Sequence, residues 1–310
     1  MIYTCTLNPS LDYFSEVNNF QIGQLNRMDT DKKMPGGKGI NVSRVLRRLG
    51  TSSVALGFIG GFTGDFIRRQ LVSENIDTDF VEVDGDTRIN VKVKSREETE
   101  INGPSPEINS DQEDELLLKL HRLNDDDILV LSGSIPSSLS ANIYKEMMLK
   151  LKDKNVKVVV DTSGQALKEA LAAQPFLIKP NQSELGELFN KEISTIDEVI
   201  VYAQKLIDEG AMNVIVSMGA NGSLFVNREM AVHAEVPQGE VKNSVGAGDS
   251  LVGGFLSEYL RSGNFIEAFR YGTASGSATA FSIDLCTKAT VEELLPKIQI
   301  HHIERQGGNR

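Results

Sequence analysis

Short apolar runs alternate along this chain with longer stretches of helical periodicity. Strand-like runs occupy Ile2 to Leu7, Val54 to Ile59, Ile128 to Leu131, Val156 to Val160, Phe176 to Ile178 and Val214 to Val216. Helical patterns fall between them, near residues 38–49, 64–75, 111–123, 141–154, 165–172, 183–190 and 195–209, and return at 247–262, 265–281 and 290–299. Apolar strands separated by helices predict a mainly parallel sheet covered on both faces, an α/β fold. One segment breaks the rhythm. Ile89, Val91 and Val93 alternate with Asn90, Lys92 and Lys94, and a second strand, Thr99 to Asn102, follows the charged turn Ser95 to Glu98. This predicts an antiparallel hairpin with one apolar face, suited to a lid, a dimerisation surface or a plain sheet edge. The polar tail from His301 to Arg310 is expected to fray, with its paired histidines solvated.

No repeat or low-complexity linker divides the 310 residues. A net charge of −11 makes the average field repel anions. Nucleic acid is therefore not an expected partner, and an anionic substrate requires cations gathered locally. Cys5 and Cys286 form no C-x-x-C pair and suit a reduced compartment. The N-terminus has no basic segment followed by a long apolar one, so neither a signal peptide nor a membrane span is expected, and a cytoplasmic location is.

Two glycine-rich segments carry the chemistry. Asn243 to Gly254 reads NSVGAGDSLVGG, with Gly246, Ala247 and Gly248 just before an apolar helical pattern. Such a turn aims free backbone N–H groups at one point, where the helix dipole adds positive potential: an anion site. Asp249, in the first turn, is either a dipole-complementing acid or a base beside a phosphate cradle. Pro35 to Asn41 reads PGGKGIN, placing Lys38 among glycines that allow close backbone approach to a ligand. There is no G-x-x-x-x-G-K-[ST], no well-placed G-x-G-x-x-G and no H-R-D or D-F-G, which argues against P-loop NTPases, dinucleotide enzymes and protein kinases.

Together the two segments resemble the signatures of the PfkB (ribokinase-like) family of carbohydrate kinases. Asn8 to Asp12, Thr87 to Asn90, Lys179 to Leu185 (KPNQSEL) and Ser217 to Gly222 (SMGANG) resemble further family motifs in the same order. The resemblance implies a three-layer α/β/α kinase domain spanning 1–310. It has a mainly parallel central sheet and a small β-sheet lid from segments about 12–35 and 80–104. It implies ATP and Mg²⁺ as cofactors, and a catalytic group of Gly246, Ala247, Gly248 and Asp249, with Asp249 as base and the amides around Ala247, Gly248 and Asp249 as charge stabilisers. For the sugar phosphate it implies Asp12, Arg27, Gly37, Lys38, Asn41, Arg88, Asn102 and Ser132, with Lys38, Arg88 and Arg27 on its phosphate. For ATP it implies Lys179, Asn181, Ser217, Gly219, Asn221, Gly222, Gly248, Ser275 and Gly276. Close helix packing explains the small run around Ser275 equally well. Asn181, Glu184 and Asp161 would hold Mg²⁺ mainly through water, although Glu184 also stands at capping spacing.

Lysine within GGKG is similar to the branch that phosphorylates fructose 1-phosphate or tagatose 6-phosphate. The expected reaction is transfer to the 6-hydroxyl of fructose 1-phosphate. The alternative is transfer to the 1-hydroxyl of tagatose 6-phosphate. A non-catalytic sugar-phosphate sensor, a third reading, would have no need of Asp249. A homodimer through the lid is also implied.

Overall fold

A computed structural model describes residues 1–303. Its strands are β1 (Ile2–Thr6), β2 (Ser10–Glu16), β3 (Thr30–Gly36), β4 (Ser53–Ile59), β5 (Asp77–Thr78), β6 (Val81–Glu82), β7 (Ile89–Lys94), β8 (Glu98–Asn102), β9 (Ile128–Ser132), β10 (Lys157–Asp161), β11 (Leu177–Ile178), β12 (Asn213–Ser217), β13 (Ser223–Asn227), β14 (Ala231–Glu235) and β15 (Gln299–His302). The large sheet runs β15-β14-β13-β12-β11-β10-β9-β1-β4-β5, with β6 also on β4. It is parallel from β12 through β5 and antiparallel from β12 to β15.

All five residues of β9 are buried, and they divide between two layers. Leu129 and Leu131 pack in a core with Tyr144, Leu167 and Leu206. Ile128 and Val130 pack in another with Phe225, Phe255 and Phe269. Alternate side chains of one strand buried on opposite faces make the helix–sheet–helix sandwich that the apolar runs predict. The carboxyl ends of the central parallel strands carry Thr6, Ser132, Asp161 and Ser217, and in open parallel sheets that end receives ligands.

A second sheet, ordered β3-β2-β7-β8, stands beside that end as a small lid. β7 and β8 form the expected antiparallel hairpin. Register and contacts put Asp12, Phe14, Asn90, Lys92 and Glu100 on one face. Ile89 and Ile101 are exposed.

The C-terminus differs from its expectation. The helix stops at Leu294, a 3-10 turn covers Leu295–Lys297, and His301 and His302 lie in β15, paired with β14. His301 meets Glu235 at 3.2 Å, so the pair belongs to an ordered edge strand. The remainder of the tail, 304–310, lies outside the described residues. The small run after Thr273 also finds its explanation here. Helices Ala247–Ser262 and Phe265–Ala280 pack so closely that a Cβ on Gly254 would collide with the Ser275 side chain. Ser275 is fully buried and donates its hydroxyl to the Tyr271 carbonyl 2.8 Å away. It offers no surface to a nucleotide, which corrects its expected place in the site.

Candidate active site

Helix Ala247–Ser262 begins at Gly246, whose φ of 78° lies in the left-handed region. Glycine is needed there twice over, because a Cβ would also sit 2.6 Å from Leu285. No side chain caps the helix; the Ala247 N–H is taken by the Ser244 carbonyl at 3.3 Å, and the amides of Gly248 and Asp249 keep their donors for something else. Asp249 is buried in that first turn, and its Oδ2 accepts a 2.8 Å bond from the Asn41 side-chain amide. Burial, with Asp161 nearby, pushes the Asp249 carboxyl up to about 6, against the opposing pull of Asn41, Lys38 and Lys179. A carboxylate tuned this way is ionised at neutral pH yet a stronger base than an exposed one.

Lys38, third in the GGKG stretch, turns toward the large sheet. Its Nζ lies 2.9 Å from Asp161 Oδ1 and 3.9 Å from Glu184 Oε1. Burial works to lower its pKa, but Asp161, Glu184 and Asp249 together hold it above the ordinary lysine range. Lys179 reaches the other Asp161 oxygen at 3.4 Å. A Cβ on Gly248 would stand 3.1 Å from the Lys179 Nζ, so this ammonium lies against the helix start. Burial pushes the Asp161 carboxyl up, yet the two lysines prevail and hold it below the usual range. Two cations, uncapped amides and a tuned carboxylate thus converge at one helix terminus. Chemically, the arrangement can hold a multiply charged anion beside a base.

A cleft of about 880 Å³ opens between the small sheet and the segment 240–245, with Asp12, Asn41 and Lys92 in its wall. Asn41 therefore joins the cleft to Asp249. Six basic and six acidic residues line it, a balance absent from the chain as a whole, with 32 basic and 43 acidic. Asp12 Oδ1 accepts from Ser10 Oγ at 2.6 Å and Asn90 Nδ2 at 3.2 Å, and its Oδ2 stands 4.0 Å from Lys92. Arg88 donates to the carbonyls of Asn8 and Pro9 at the mouth of the same strand. Asn102 is paired across the hairpin with Asn90, and Ser132 sits in register with Asp161, its hydroxyl buried without a partner. Gly37, at φ 119°, lies where a Cβ would press on Thr6. Arg27 is not brought to this group; it is exposed in the loop joining β2 and β3.

Asn181 and Ser217 form a parallel bridge, which sets Lys179–Asn181 beside the turn Gly219–Asn221. A Cβ on Gly222 would collide with the Ala234 carbonyl, and Gly219, Ala220 and Asn221 are exposed. Gly276 packs on the Ala247 carbonyl. Asn181 and Glu184 form a reciprocal capping box with two 2.8 Å bonds, so the helix-capping reading of Glu184 is realised. Its second oxygen, Oε1, is left facing Lys38. Among the described residues no three His, Cys, Asp or Glu side chains gather to enclose a metal ion. The donors here suit a hydrated hard cation. Lys92 lies outside the family motifs, and Asn90, inside the Thr87 to Asn90 motif, carried no expected role; the signal for both is the polar half of the alternating strand.

The model for pfkB family carbohydrate kinases matches residues 6–290. A 1-phosphofructokinase of Bacillus subtilis (strain 168) is 50% identical over 300 residues, covering 97% of this chain and 99% of that protein. A D-tagatose-1-phosphate kinase of Bacillus licheniformis is 36% identical, over 98% of this chain and 100% of the other. The crystal structure of phosphofructokinase-2 from Escherichia coli in complex with fructose-6-phosphate matches with a TM-score of 0.89 at 32% identity, covering 96% and 98% of the two chains.

Proposed function

This chain belongs to the pfkB family of carbohydrate kinases, and we propose that it is a 1-phosphofructokinase, transferring the γ-phosphoryl of ATP to the 6-hydroxyl of D-fructose 1-phosphate. The 50% identity to a 1-phosphofructokinase over nearly the whole length supports the substrate. The observation that carries the chemistry is Asp249: a buried carboxylate, bonded to a residue of the cleft wall, at an uncapped helix start beside two lysines.

In this reading Asp249 takes the proton of the 6-hydroxyl as that oxygen bonds to the γ-phosphorus. The bond from phosphorus to the β–γ bridging oxygen breaks, and ADP leaves. Phosphoryl transfer asks mainly for alignment and charge neutralisation. With the Ala247 amide held by the Ser244 carbonyl, those of Gly248 and Asp249 face the charge of the transferring group. Lys38 joins them, since its 2.9 Å pair with Asp161 and its proximity to Asp249 support a role at the transferred group more than at the sugar's own phosphate. Asp12 and Asn41 hold sugar hydroxyls, and Arg88 takes the 1-phosphate, with Asn102 and Ser132 at the edges of the same pocket. Lys179, Asn181 and the loop Ser217 to Gly222 hold the nucleotide. Mg²⁺, met through water by Asn181, Glu184 and Asp161, would neutralise phosphate oxygens; Glu184 Oε1, which its capping box leaves over and which stands 3.9 Å from Lys38, is a fitting donor to such a water. The whole chain acts as one kinase domain, with the lid over the cleft.

An ADP-release assay over fructose 1-phosphate, tagatose 1-phosphate and tagatose 6-phosphate tests the substrate. The highest kcat/KM is expected for fructose 1-phosphate. Preference for tagatose 6-phosphate would move the phosphate to the other end of the sugar and overturn this choice. Preference for tagatose 1-phosphate would keep the pocket and change the epimer.

The exposed Ile89 and Ile101 on the small sheet, with Ile22, Leu25 and Met28 exposed in the adjoining loop, support a homodimer through the lid. Sedimentation equilibrium is expected to give twice the 34.0 kDa chain mass, and Ile101→Lys to shift it to the monomer. A monomeric parent protein at micromolar concentration would contradict this. No helix among the described residues is long and apolar enough to cross a membrane. Cys5 and Cys286 are both free and buried, which supports a cytoplasmic location.

A further inference from the structure

The turn between β12 and β13 is built almost wholly from backbone. Gly222 donates to the Gly219 carbonyl at 3.1 Å, Asn221 to that of Met218 at 3.1 Å, and Met218 to that of Gly222 at 2.9 Å. Two residues in it need left-handed backbone, Gly219 at φ 58° and Gly222 at φ 85°. A loop of this kind has little to hold its exposed tip in one place. One side chain reaches it from outside: His233 of β14 meets the Asn221 carbonyl at 2.8 Å through Nε2. A carbonyl can only accept, so Nε2 carries the hydrogen and donates it.

The sheet does not need this bond. β14 is hydrogen-bonded on both sides, to β13 and to β15, and its backbone is fixed without the imidazole. Among the described residues no other side-chain hydrogen bond reaches residues 218–222. We propose that His233 is a positioning residue for nucleotide binding: its N–H fixes the tip of the glycine turn so that the exposed backbone of Gly219 to Asn221 is set for ATP. This rests on the assignment of that turn to the nucleotide in the proposed function.

Steady-state kinetics of the full chain with MgATP and fructose 1-phosphate tests the idea. His233→Ala is expected to raise KM for ATP about 5-fold, the size of one hydrogen bond near 1 kcal/mol, while KM for the sugar phosphate stays in place. His233→Gln, which can again present an N–H, is expected to recover most of the loss. Gly222→Ala distorts the turn directly and reports on the turn's role. If Gly222→Ala raises KM for ATP and His233→Ala does not, the role of His233 is overturned while the nucleotide assignment stands. If neither variant moves it, the assignment of the turn fails, and the inference with it. Equal rises in both KM values, or a lowered Tm in the alanine and glutamine variants alike with no recovery, make His233 merely structural and overturn the proposal.

Discussion

Asp249→Asn is expected to lower kcat by at least about 10²-fold, the usual worth of positioned proton transfer, with ATP still bound. Asparagine keeps the size of the side chain and can still meet Asn41, so the loss isolates the base. The same change is expected to stabilise the protein at neutral pH. Folding raises this carboxyl from the ordinary aspartate value of 3.8 to about 6. Between those values the native state binds more protons than the unfolded one, so the native advantage falls as pH rises through the window. Above pH 6 the full cost of the buried charge is present, on the order of 3 kcal/mol. The Asn variant escapes it, and its gain in Tm should be larger at pH 7.5 than at pH 5. Calorimetry at the two values checks this; a variant less stable than the parent at pH 7.5 would mean the buried carboxylate is structurally required.

Lys38→Met is expected to lower kcat roughly 10²-fold, as loss of a transition-state charge partner does, with KM for fructose 1-phosphate changed by less than about 3-fold. Methionine preserves most of the aliphatic stem and removes only the charge. Asp161 keeps Lys179 at 3.4 Å, so the buried carboxylate is not left bare and the fold should survive. The contrary result is a large rise in KM for the sugar phosphate with kcat little altered. That would return Lys38 to the sugar's own phosphate, the role implied by family resemblance.

Lys38 also shows where sequence stops. The GGKG stretch announces an anion-handling lysine, but a flexible four-carbon stem takes its direction from partners, and the partner here is 123 residues away. Asp249 was more legible because its place is local: a glycine turn, a helix start and an acid in the first turn stand next to one another in sequence. The parallel sheet was legible for a similar reason, since strands such as Ile128 to Leu131 are apolar on both faces. The edge strands were not. β14 mixes Ala231, His233 and Glu235 with its apolar positions, and β15 is exposed or half-buried, so neither has the continuous run that marks a core strand. In β7 the alternation gave two faces correctly, but period alone does not say which face meets the cleft. The polar one, with Asn90 and Lys92, meets Asp12. Ser275 shows the opposite failure: a run of small residues reads equally as a ligand platform or a helix contact, and the crossing at Gly254 decides for contact.

The most direct test is the pH profile of kcat/KM for fructose 1-phosphate, measured from pH 5 to 8 at saturating ATP. The wild-type rate should fall below about pH 6, approaching tenfold per unit, and the residual activity of Asp249→Asn should show no such limb. An identical acid limb in both proteins, or a flat wild-type profile down to pH 5, would remove Asp249 as the group that takes the hydroxyl proton.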